Sequence, residues 1–243
     1  MADAGVGEGD RVLEVGAGFG SLTVALAGAG CDVLAFEVDR GMVRALRDVV
    51  ASYPNVTIEA ADAMRTDWPS RLGVGRWAMV SNLPYNISVP LLVRLLETAP
   101  SIDRYLVMVQ REVGERLAAG PGDELYGAVS IRVAYRASAE VVRRVPAEVF
   151  WPRPSVDSVL LRVMPHPPPV DVERDALFRV VDEGFAERRK TMANALRRLG
   201  LDADAAAEVI DAAGFDRWTR AERLDLADLA RITEAILARG WRP

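Results

Sequence analysis

Residues 14–20, with the sequence EVGAGFG, constrain the fold of this chain more than any other segment. The glycines of this segment follow a short predicted strand at residues 11–15 and precede a helical pattern at residues 21–29. Glycines between a strand and a helix permit a tight turn and let backbone N–H groups approach a ligand closely. The segment therefore predicts a βαβ unit with a ligand at the carboxyl end of its first strand.

The rest of the N-terminal half continues this alternation. Strands are predicted at residues 11–15, 32–37, 56–60, 77–81 and 105–109, and helices at residues 21–29, 41–52 and 89–97. Residues 129–135, 139–145 and 158–164 are β-rich with short connections, which predicts antiparallel strands that close the sheet. We expect an α/β, Rossmann-like domain with a mostly parallel seven-stranded sheet and helices on both faces.

A proline-rich linker at residues 165–169 separates this pattern from a helical C-terminal part. Helices are predicted there at residues 174–184, 187–199, 203–213 and 226–238. We therefore expect a ligand-binding catalytic domain at residues 1–169 and a small all-helical domain at residues 170–243.

Composition excludes several classes of protein. The 243 residues include one cysteine and one histidine, which rules out an internal disulfide and a multi-cysteine metal site. No apolar run approaches the ~20 residues that cross a bilayer, and no secretory signal is visible. We expect a cytoplasmic protein that binds no metal and no membrane.

Charge is unevenly placed along the chain. The net charge of −5 argues mildly against a nucleic-acid-binding protein. Within residues 184–200, however, positive charge is concentrated: Arg188, Arg189, Lys190, Arg197 and Arg198 stand against Glu187 alone. Nearly all basic residues of the chain are arginines. Arginine suits bidentate phosphate contacts, but a GC-rich genome also explains its excess over lysine.

Three acidic residues accompany the glycine turn. Glu14 precedes the glycines, Glu37 ends the second predicted strand and Asp62 follows the third. A carboxylate at the position of Glu37 can accept the ribose hydroxyls of an adenosine. Asp62 can accept from an adenine amine or simply cap a helix. The acidic residue and the short G-x-G-x-G spacing of Gly16 and Gly18 favour S-adenosylmethionine over a dinucleotide.

The segment Asn82-Leu83-Pro84-Tyr85 follows the fourth strand, at the sheet edge where ligands bind in such folds. The Asn82 oxygen and a nearby backbone carbonyl can both accept from a planar amine and stabilise the charge that develops there. Tyr85 offers a face on which a base can stack. The alternative is a structural Asn-Pro turn with a core tyrosine. Cys31 opens a strand and is not placed to attack a pyrimidine.

Several segments resemble the ribosomal small-subunit RNA adenine dimethyltransferases (KsgA type). They are VLEVGAGFGSLT at 12–23, AFEVDR at 35–40, Asp62-Ala63, NLPYNIS at 82–88, MVQREVGERLAAGPG at 108–122, VPAEVFWPRPSVDSVLLRV at 145–163 and GFAERRKTMANALRRLG at 184–200. The resemblance spans nearly the whole chain. It implies N6-dimethylation of two adjacent adenines in the 3′-terminal hairpin loop of 16S rRNA, in the immature 30S subunit, by an enzyme expected to be a monomer.

The resemblance also assigns roles to individual residues. It implies cofactor contacts by Glu14, Gly16, Gly18, Glu37, Asp62, Ala63 and Asn82. It implies that Asn82, Leu83 and Pro84 orient the target amine, and that Tyr85 and Phe150 sandwich the adenine. RNA contacts are expected from Arg111, Arg116, Arg153, Arg188, Arg189, Lys190 and Arg197.

The chain departs from the family pattern at its start. Family members carry some tens of residues before the glycine strand, including a G-Q-N/H-F-L motif that lines the cofactor pocket. The sequence as given lacks that segment, and three explanations stay open: a start chosen too late, a gene fragment, or true loss of the segment.

Two other functions remain open from the sequence. One is an Erm-type enzyme that methylates adenine in 23S rRNA, and the other is a non-catalytic ribosome-assembly protein of the same fold. The P-R-P-S-V-D-S segment and the R-R-K-T helix favour the small-subunit enzyme over the Erm type. The presence of Glu37, Asp62 and Asn82 argues against a non-catalytic protein. A DNA adenine methyltransferase is disfavoured because those enzymes commonly have a second proline where this chain has Leu83.

Overall fold

The computed structural model describes residues 2–243 and divides into two compact units. The first unit comprises the chain up to Glu115 together with Ala137–Pro165, and the second comprises Arg116–Arg136 and His166–Pro243. The larger segment of the second unit begins at His166, close to the boundary expected at residue 170. It also takes in residues 116–136, which the sequence prediction had assigned to the first domain.

The first unit contains a seven-stranded sheet with the strand order β3-β2-β1-β4-β5-β7-β6. Its strands are β1 (Arg11–Val15), β2 (Asp32–Phe36), β3 (Val56–Glu59), β4 (Trp77–Asn82), β5 (Ile102–Gln110), β6 (Ala137–Val145) and β7 (Ser158–Pro165). The first five strands are parallel, and β7 is antiparallel to both of its neighbours. The predicted fold class is thereby confirmed.

Five helices belong to or start in this unit: α1 (Ser21–Gly28), α2 (Arg40–Val49), α3 (Trp68–Leu72), α4 (Ser88–Thr98) and α5 (Arg111–Ala118). The start of α2 has a clear local cause, because the Asp39 carboxylate accepts from the N–H groups of Gly41 and Met42 at 2.7 and 2.9 Å. The sequence prediction did not include α3 or α5. The five residues of α3 are too few to show a helical period.

Burial on both faces of the sheet explains why most residues of the central strands are apolar. Val12, Leu13 and Val15 of β1 are all at most 3% exposed, as are Val33 and Leu34 of β2. Strands in a parallel sheet are covered by helices on both faces, so successive side chains are buried on opposite sides.

The chain order of the strands reverses between β1 and β4. The pairing of these two strands joins Val12 to Ala78 and Leu13 to Met79. Beyond that point the Val15 N–H donates to the Ser81 side chain at 2.9 Å. Ligands in open α/β sheets bind at the carboxyl ends of the strands where this reversal occurs. The topology therefore places the glycine turn after β1 beside the NLPY segment after β4.

The second unit is helical. It contains α6 (Ala128–Ala134), α7 (Arg174–Ala186), α8 (Met192–Arg198), α9 (Ala203–Ala212) and α10 (Leu226–Ala238). Its core is formed by fully buried aliphatic side chains that include Leu177, Val181, Leu196, Ile210, Leu229 and Ile236. Among residues 2–243 no helix combines the length and the apolar character that crossing a membrane requires.

The prediction of a strand at residues 129–135 is wrong, because this segment forms α6. Its alternation of apolar and polar residues imitates a strand. In the structure, Ile131 and Tyr135 lie on one helix face and join the core of the second unit. The buried Ser130 hydroxyl accepts from the Gly127 N–H at 3.1 Å and donates to the Arg116 carbonyl at 2.7 Å.

The helix predicted at residues 187–199 begins later than expected. Residues 187–190 form a turn, and α8 starts at Met192. The Lys190 N–H donates to the Glu187 carbonyl at 2.9 Å, and the Met192 N–H donates to the Thr219 carbonyl at 2.8 Å. The latter bond is long-range, so the start of α8 is set by tertiary structure rather than by local sequence.

Candidate active site

The glycine turn and the NLPY segment are in contact. Gly16 has a φ of 78°, and its N–H donates to the Phe36 carbonyl at 2.9 Å. A Cβ atom on Gly16 would lie only 2.9 Å from Cδ of Pro84. Glycine is required here both by the backbone conformation and by the close approach of the proline.

Glu37 is tied to the loops around it. Its Oε1 atom accepts from the N–H groups of Val38 and Asp39 at 2.8 and 2.9 Å, and its Oε2 atom accepts from Gly18 N–H at 2.9 Å. Glu37 is 7% exposed. A carboxylate oxygen has two lone pairs, so Oε2 retains capacity for a ribose hydroxyl. The contact of Glu37 with an adenosine stays a prediction, and this geometry leaves room for one hydroxyl.

Glu14 lies deeper than the other acidic residues. It is 2% exposed, and its Oε2 atom accepts from the Thr23 hydroxyl at 2.6 Å. Burial raises the pKa of the Glu14 carboxyl to about 7, although the bond from Thr23 opposes the shift. Glu14 therefore titrates near neutral pH beneath the glycine turn.

Asp62 has the capping role considered from its sequence position, and its contact with an adenine amine stays a prediction. Its Oδ1 atom accepts from the Met64 N–H at 2.8 Å and so caps a turn. Its Oδ2 atom lies 3.5 Å from Nε of Arg65, and 43% of the Asp62 side chain is exposed. The carboxylate thus remains accessible to a ligand, whereas the neighbouring Ala63 is buried.

Two apolar residues beside these acids were not identified from the sequence. Phe19, in the glycine turn, is 66% exposed, and Val38, directly after Glu37, is 67% exposed. Exposed apolar groups next to a carboxylate that is expected to bind ribose suit the planar ring of an adenosine. Their exposure is a tertiary property, so no sequence signal marks them. Together with the glycine turn and Glu37, these residues fit an adenosine-containing methyl donor.

The NLPY segment is a closed turn that leads into α4. The Leu83 N–H donates to the Met108 carbonyl at 3.1 Å, and the Ile87 N–H donates to the Pro84 carbonyl at 3.1 Å. Leu83 is 1% exposed, so its side chain anchors the turn, whereas Asn82 and Pro84 are exposed. The sequence predicted three orienting residues, and the structure leaves Leu83 only its backbone for that role.

A cavity of about 240 Å³ brings the expected reaction-site residues together. Its walls are formed by Asn82, Leu83, Pro84, Tyr85, Phe150, Pro152 and Pro154. Tyr85 and Phe150 are far apart in sequence, yet both line this cavity. The sequence reasoning missed the two wall prolines, although they lie in the FWPRP segment that carried part of the resemblance.

The Tyr85 ring is held by a bond at its far end. Its hydroxyl lies 3.0 Å from the hydroxyl of Ser158, which is fully buried at the start of β7. The Ser88 hydroxyl donates to the Tyr85 carbonyl at 3.1 Å. Ser158 is a further residue that the sequence reasoning missed, since the pairing of β5 with β7 brings it to Tyr85.

The predicted RNA-binding residues are distributed over both units. Arg111 and Arg153 lie in the first unit, where Arg111 is exposed at the start of α5 and Arg153 pairs with Glu148. Arg116, Arg188, Arg189, Lys190 and Arg197 lie in the second unit. The structure therefore does not gather them into one cluster within a single unit.

Within the second unit, the basic segment has a defined geometry. The Arg188 guanidinium donates to the Glu124 carbonyl at 2.6 Å, while Arg189 is exposed. Lys190 and Arg197 line a groove of about 570 Å³. Arg198 lines the same groove but is neutralised by Glu183 and Glu187 at 2.8 and 3.2 Å.

Within residues 2–243 the structure contains no group of three or more His, Cys, Asp or Glu side chains that could hold a metal ion. The buried Cys31 donates to the Gly7 carbonyl at 3.3 Å. The candidate site thus consists of carboxylates, an amide, backbone groups and aromatic rings.

Comparison with known proteins agrees with this geometry. The family model described as ribosomal RNA adenine dimethylase matches residues 1–237. A protein from Cutibacterium acnes named ribosomal RNA small subunit methyltransferase A is 43% identical over 98% of this chain and 83% of its own length. A protein of the same name from Thermobifida fusca is 43% identical over 95% of this chain and 82% of its own.

Solved structures share the fold. A dimethyladenosine transferase from Plasmodium falciparum superposes with a TM-score of 0.83 at 24% identity, over 98% of this chain and 94% of its own. The 23S rRNA methyltransferase ErmE superposes with a TM-score of 0.73 at 23% identity, over 96% of this chain and 93% of its own. The family match over nearly the whole chain and the relatives above 40% identity show that this protein belongs to the ribosomal RNA adenine dimethylase family, whose members are S-adenosylmethionine-dependent methyltransferases.

Proposed function

We propose that this protein transfers methyl groups to N6 of two adjacent adenines in the 3′-terminal hairpin loop of 16S rRNA, in the immature 30S subunit. The observation that carries the proposal is the cavity that Asn82, Tyr85 and Phe150 line next to the glycine turn. The relatives named small-subunit methyltransferases support the choice of RNA. We further propose that the enzyme acts in the cytoplasm as a monomer.

The cavity suits a base that has left its helix. An enzyme that modifies a base atom inside stacked RNA extrudes that base, at a cost of a few kcal/mol. Stacking on aromatic rings returns about 1–3 kcal/mol per base. Tyr85 and Phe150 provide two such rings, and the bond between Tyr85 and Ser158 fixes one of them in advance.

Two acceptors would orient the exocyclic amine. Its lone pair is delocalised into the ring, so the amine is a poor nucleophile. The Asn82 side-chain oxygen and the Leu83 carbonyl would each accept one amine hydrogen and stabilise the positive charge that forms on nitrogen. The Pro84 carbonyl already accepts from Ile87, which makes Leu83 the better backbone candidate.

The bound S-adenosylmethionine would supply the electrophilic methyl group. Glu37 would hold its ribose, Gly18 would keep that carboxylate in place, and Asp62 would accept from its adenine amine. Phe19 and Val38 would cover the adenine ring. The nitrogen carries a positive charge directly after methyl transfer and is then acidic, so its proton can pass to water without a strong general base.

Variants of Tyr85 test the site. Tyr85→Ala should lower kcat/KM for methyl transfer to immature 30S particles by roughly 5- to 100-fold, because about 1–3 kcal/mol of stacking is lost. Tyr85→Phe keeps the ring and should retain most activity. Affinity for S-adenosylmethionine, measured by calorimetry, should change in neither variant. Equal losses in both variants would show that the hydroxyl, and not the ring, matters.

A second candidate function is that of an Erm-type enzyme, because the 23S rRNA methyltransferase ErmE shares the fold of this chain. The two are separated by offering the protein immature 30S particles and protein-free 23S rRNA side by side. Methylation of the 30S particles supports the proposal, whereas methylation of 23S rRNA alone contradicts it. Binding of RNA without detectable binding of S-adenosylmethionine would instead indicate a non-catalytic assembly protein.

A further inference from the structure

Trp151 is exposed to an unusual degree at the edge of the cavity. It is 97% exposed, while its two chain neighbours, Phe150 and Pro152, both line the cavity. Consecutive Cα atoms lie about 3–4 Å apart, so the Trp151 backbone is part of the cavity rim. Tryptophan is highly buried on average, and an indole left in water forgoes a large hydrophobic contact.

The segment that carries Trp151 is held at both ends. On one side, the short helix Ala147–Val149 is fixed by a bond of 3.1 Å from the Ala147 N–H to the Asp157 carboxylate. Glu148 and Arg153 form an ion pair that spans the segment. The exposed indole is thus presented by a braced loop at the start of β7.

Exposed apolar groups continue beside the indole. Val149 is 65% exposed and Val156 is 41% exposed, on either side of Trp151 in the same segment. The charge of Arg153 is balanced by Glu148, so the exposed indole is the main feature of this segment. An exposed aromatic ring of this kind binds single-stranded nucleic acid by stacking on its bases.

Extrusion of the target base creates a second requirement. The nucleotide next to it in the RNA loses its stacking partner when the target enters the cavity. An aromatic ring at the rim can replace that partner, and it does so without preference for a particular base.

We propose that Trp151 forms a second base-stacking site, which receives the nucleobase adjacent to the target adenine in the RNA strand. This inference rests on the proposed function. Trp151 is a positioning residue: it holds the strand at the rim while Tyr85 and Phe150 hold the target base.

Kinetics of two variants test the proposal. Trp151→Ala should lower kcat/KM for methylation of immature 30S particles by about 5- to 100-fold, which corresponds to the loss of one stacked base. Trp151→Phe keeps an aromatic face and should retain most of the activity. Affinity for S-adenosylmethionine and the melting temperature should be unchanged in both, because the residue is exposed.

Fluorescence gives a readout that a structural role would not change. The protein contains five tryptophans, and Trp218, in the second unit, is also well exposed at 74%. A single-stranded RNA with the hairpin-loop sequence should quench the emission of the wild-type protein. Trp151→Phe should remove most of this quenching, and the matched control Trp218→Phe should retain it.

The outcomes separate this inference from the proposed function. If the wild-type protein methylates 30S particles and Trp151→Ala does so at the same rate, only the stacking site is refuted. Quenching that persists in Trp151→Phe refutes it as well. Self-association that Trp151→Ala abolishes without any loss of methylation would assign the indole to a protein contact instead. A wild-type protein that methylates no rRNA would overturn both.

Discussion

At the scale of single residues, the contact between Gly16 and Pro84 joins the two halves of the site. Gly16 belongs to the turn expected to bind the methyl donor, and Pro84 belongs to the turn expected to hold the methyl acceptor. Because a Cβ atom on Gly16 would lie 2.9 Å from the proline ring, there is no room for any side chain at this position. The close approach of Gly16 and Pro84 thus couples the positions of these two turns.

Substitution of two glycines isolates this constraint. Gly16 and Gly18 both have positive φ, at 78° and 57°, but a Cβ on Gly18 would meet no atom within 4 Å. Gly18→Ala should cost only the backbone strain of about 1–2 kcal/mol. Gly16→Ala should cost a further ~1–3 kcal/mol for the clash and should weaken both S-adenosylmethionine binding and methylation. Denaturant unfolding and calorimetry measure the two effects, and equal losses in the two variants would contradict the argument.

Glu14 makes stability depend on pH in a direction that is unusual for a carboxyl group. Its pKa is raised to about 7 by burial, above its value in the unfolded chain. The folded state therefore retains a proton that the unfolded state has released. The contribution of Glu14 to the free energy of unfolding is complete below the pKa that Glu14 has in the unfolded chain. This contribution is lost as pH rises through about 7.

Glu14→Gln should remove this dependence. The shift from 4.5 to about 7 corresponds to a cost of roughly 3 kcal/mol once the buried carboxylate is charged. The variant should therefore gain stability relative to the wild type as pH rises from about 5 to about 8, as measured by urea unfolding. Glu8→Gln, at an exposed carboxylate, controls for the lost charge. A stability difference that stays constant over this range would refute the role of Glu14.

At the scale of elements, the turn between α7 and α8 presents the basic segment. Arg188 is held by the Glu124 carbonyl, while Arg189 and Lys190 extend from the turn as exposed side chains. Arg198, farther along α8, is already paired with two glutamates. The exposed pair at positions 189 and 190 is therefore better suited to phosphate contact than Arg198.

Salt dependence distinguishes these cations. Each phosphate contact that is lost should flatten the log–log dependence of RNA affinity on salt by roughly 0.7–0.9. The double variant Arg189→Ala/Lys190→Ala should show such a change, and Arg198→Ala should show little. Arg179→Ala, at an exposed position of α7, controls for the loss of a single positive charge. An unchanged slope in the double variant would exclude this turn from the RNA interface.

At the scale of the whole molecule, the helical unit is built from two separate stretches of chain. Residues 116–136 contribute Tyr126 and Tyr135 to its core. The Tyr126 hydroxyl donates to the Leu224 carbonyl at 2.8 Å, and the Tyr135 ring packs on that of Phe178 at 5.2 Å. The unit is therefore incomplete without residues that precede β6.

A fragment experiment tests this dependence. Residues 166–243 alone should lack a cooperative unfolding transition, because the removal of buried aromatic side chains typically costs about 3–5 kcal/mol each. Addition of a peptide of residues 116–136 should restore helicity, measured by circular dichroism. Cooperative unfolding of the isolated fragment would show that the inserted segment is dispensable.

Periodicity was sufficient to predict most of the fold from the sequence. The strands of the parallel sheet are apolar runs bounded by turn residues, and helices α7 and α10 have regular apolar spacing. Periodicity failed for residues 129–135 because a short apolar–polar alternation fits either a strand or one helix face. It also placed the start of α8 too early, because a long-range bond from Met192 to Thr219 decides where that helix begins.

The sequence by itself determined the components of the site: the glycine turn, Glu37, and the NLPY segment, each at the end of a strand. These are local patterns whose chemistry depends on residue type and spacing alone. Only the tertiary structure decided that β4 lies beside β1, which brings Pro84 against Gly16. It also placed Phe150 in the same cavity as Tyr85, which only the family resemblance had suggested, and left Trp151 exposed at the rim. Strand order and exposure arise from packing between distant segments, which no local pattern encodes.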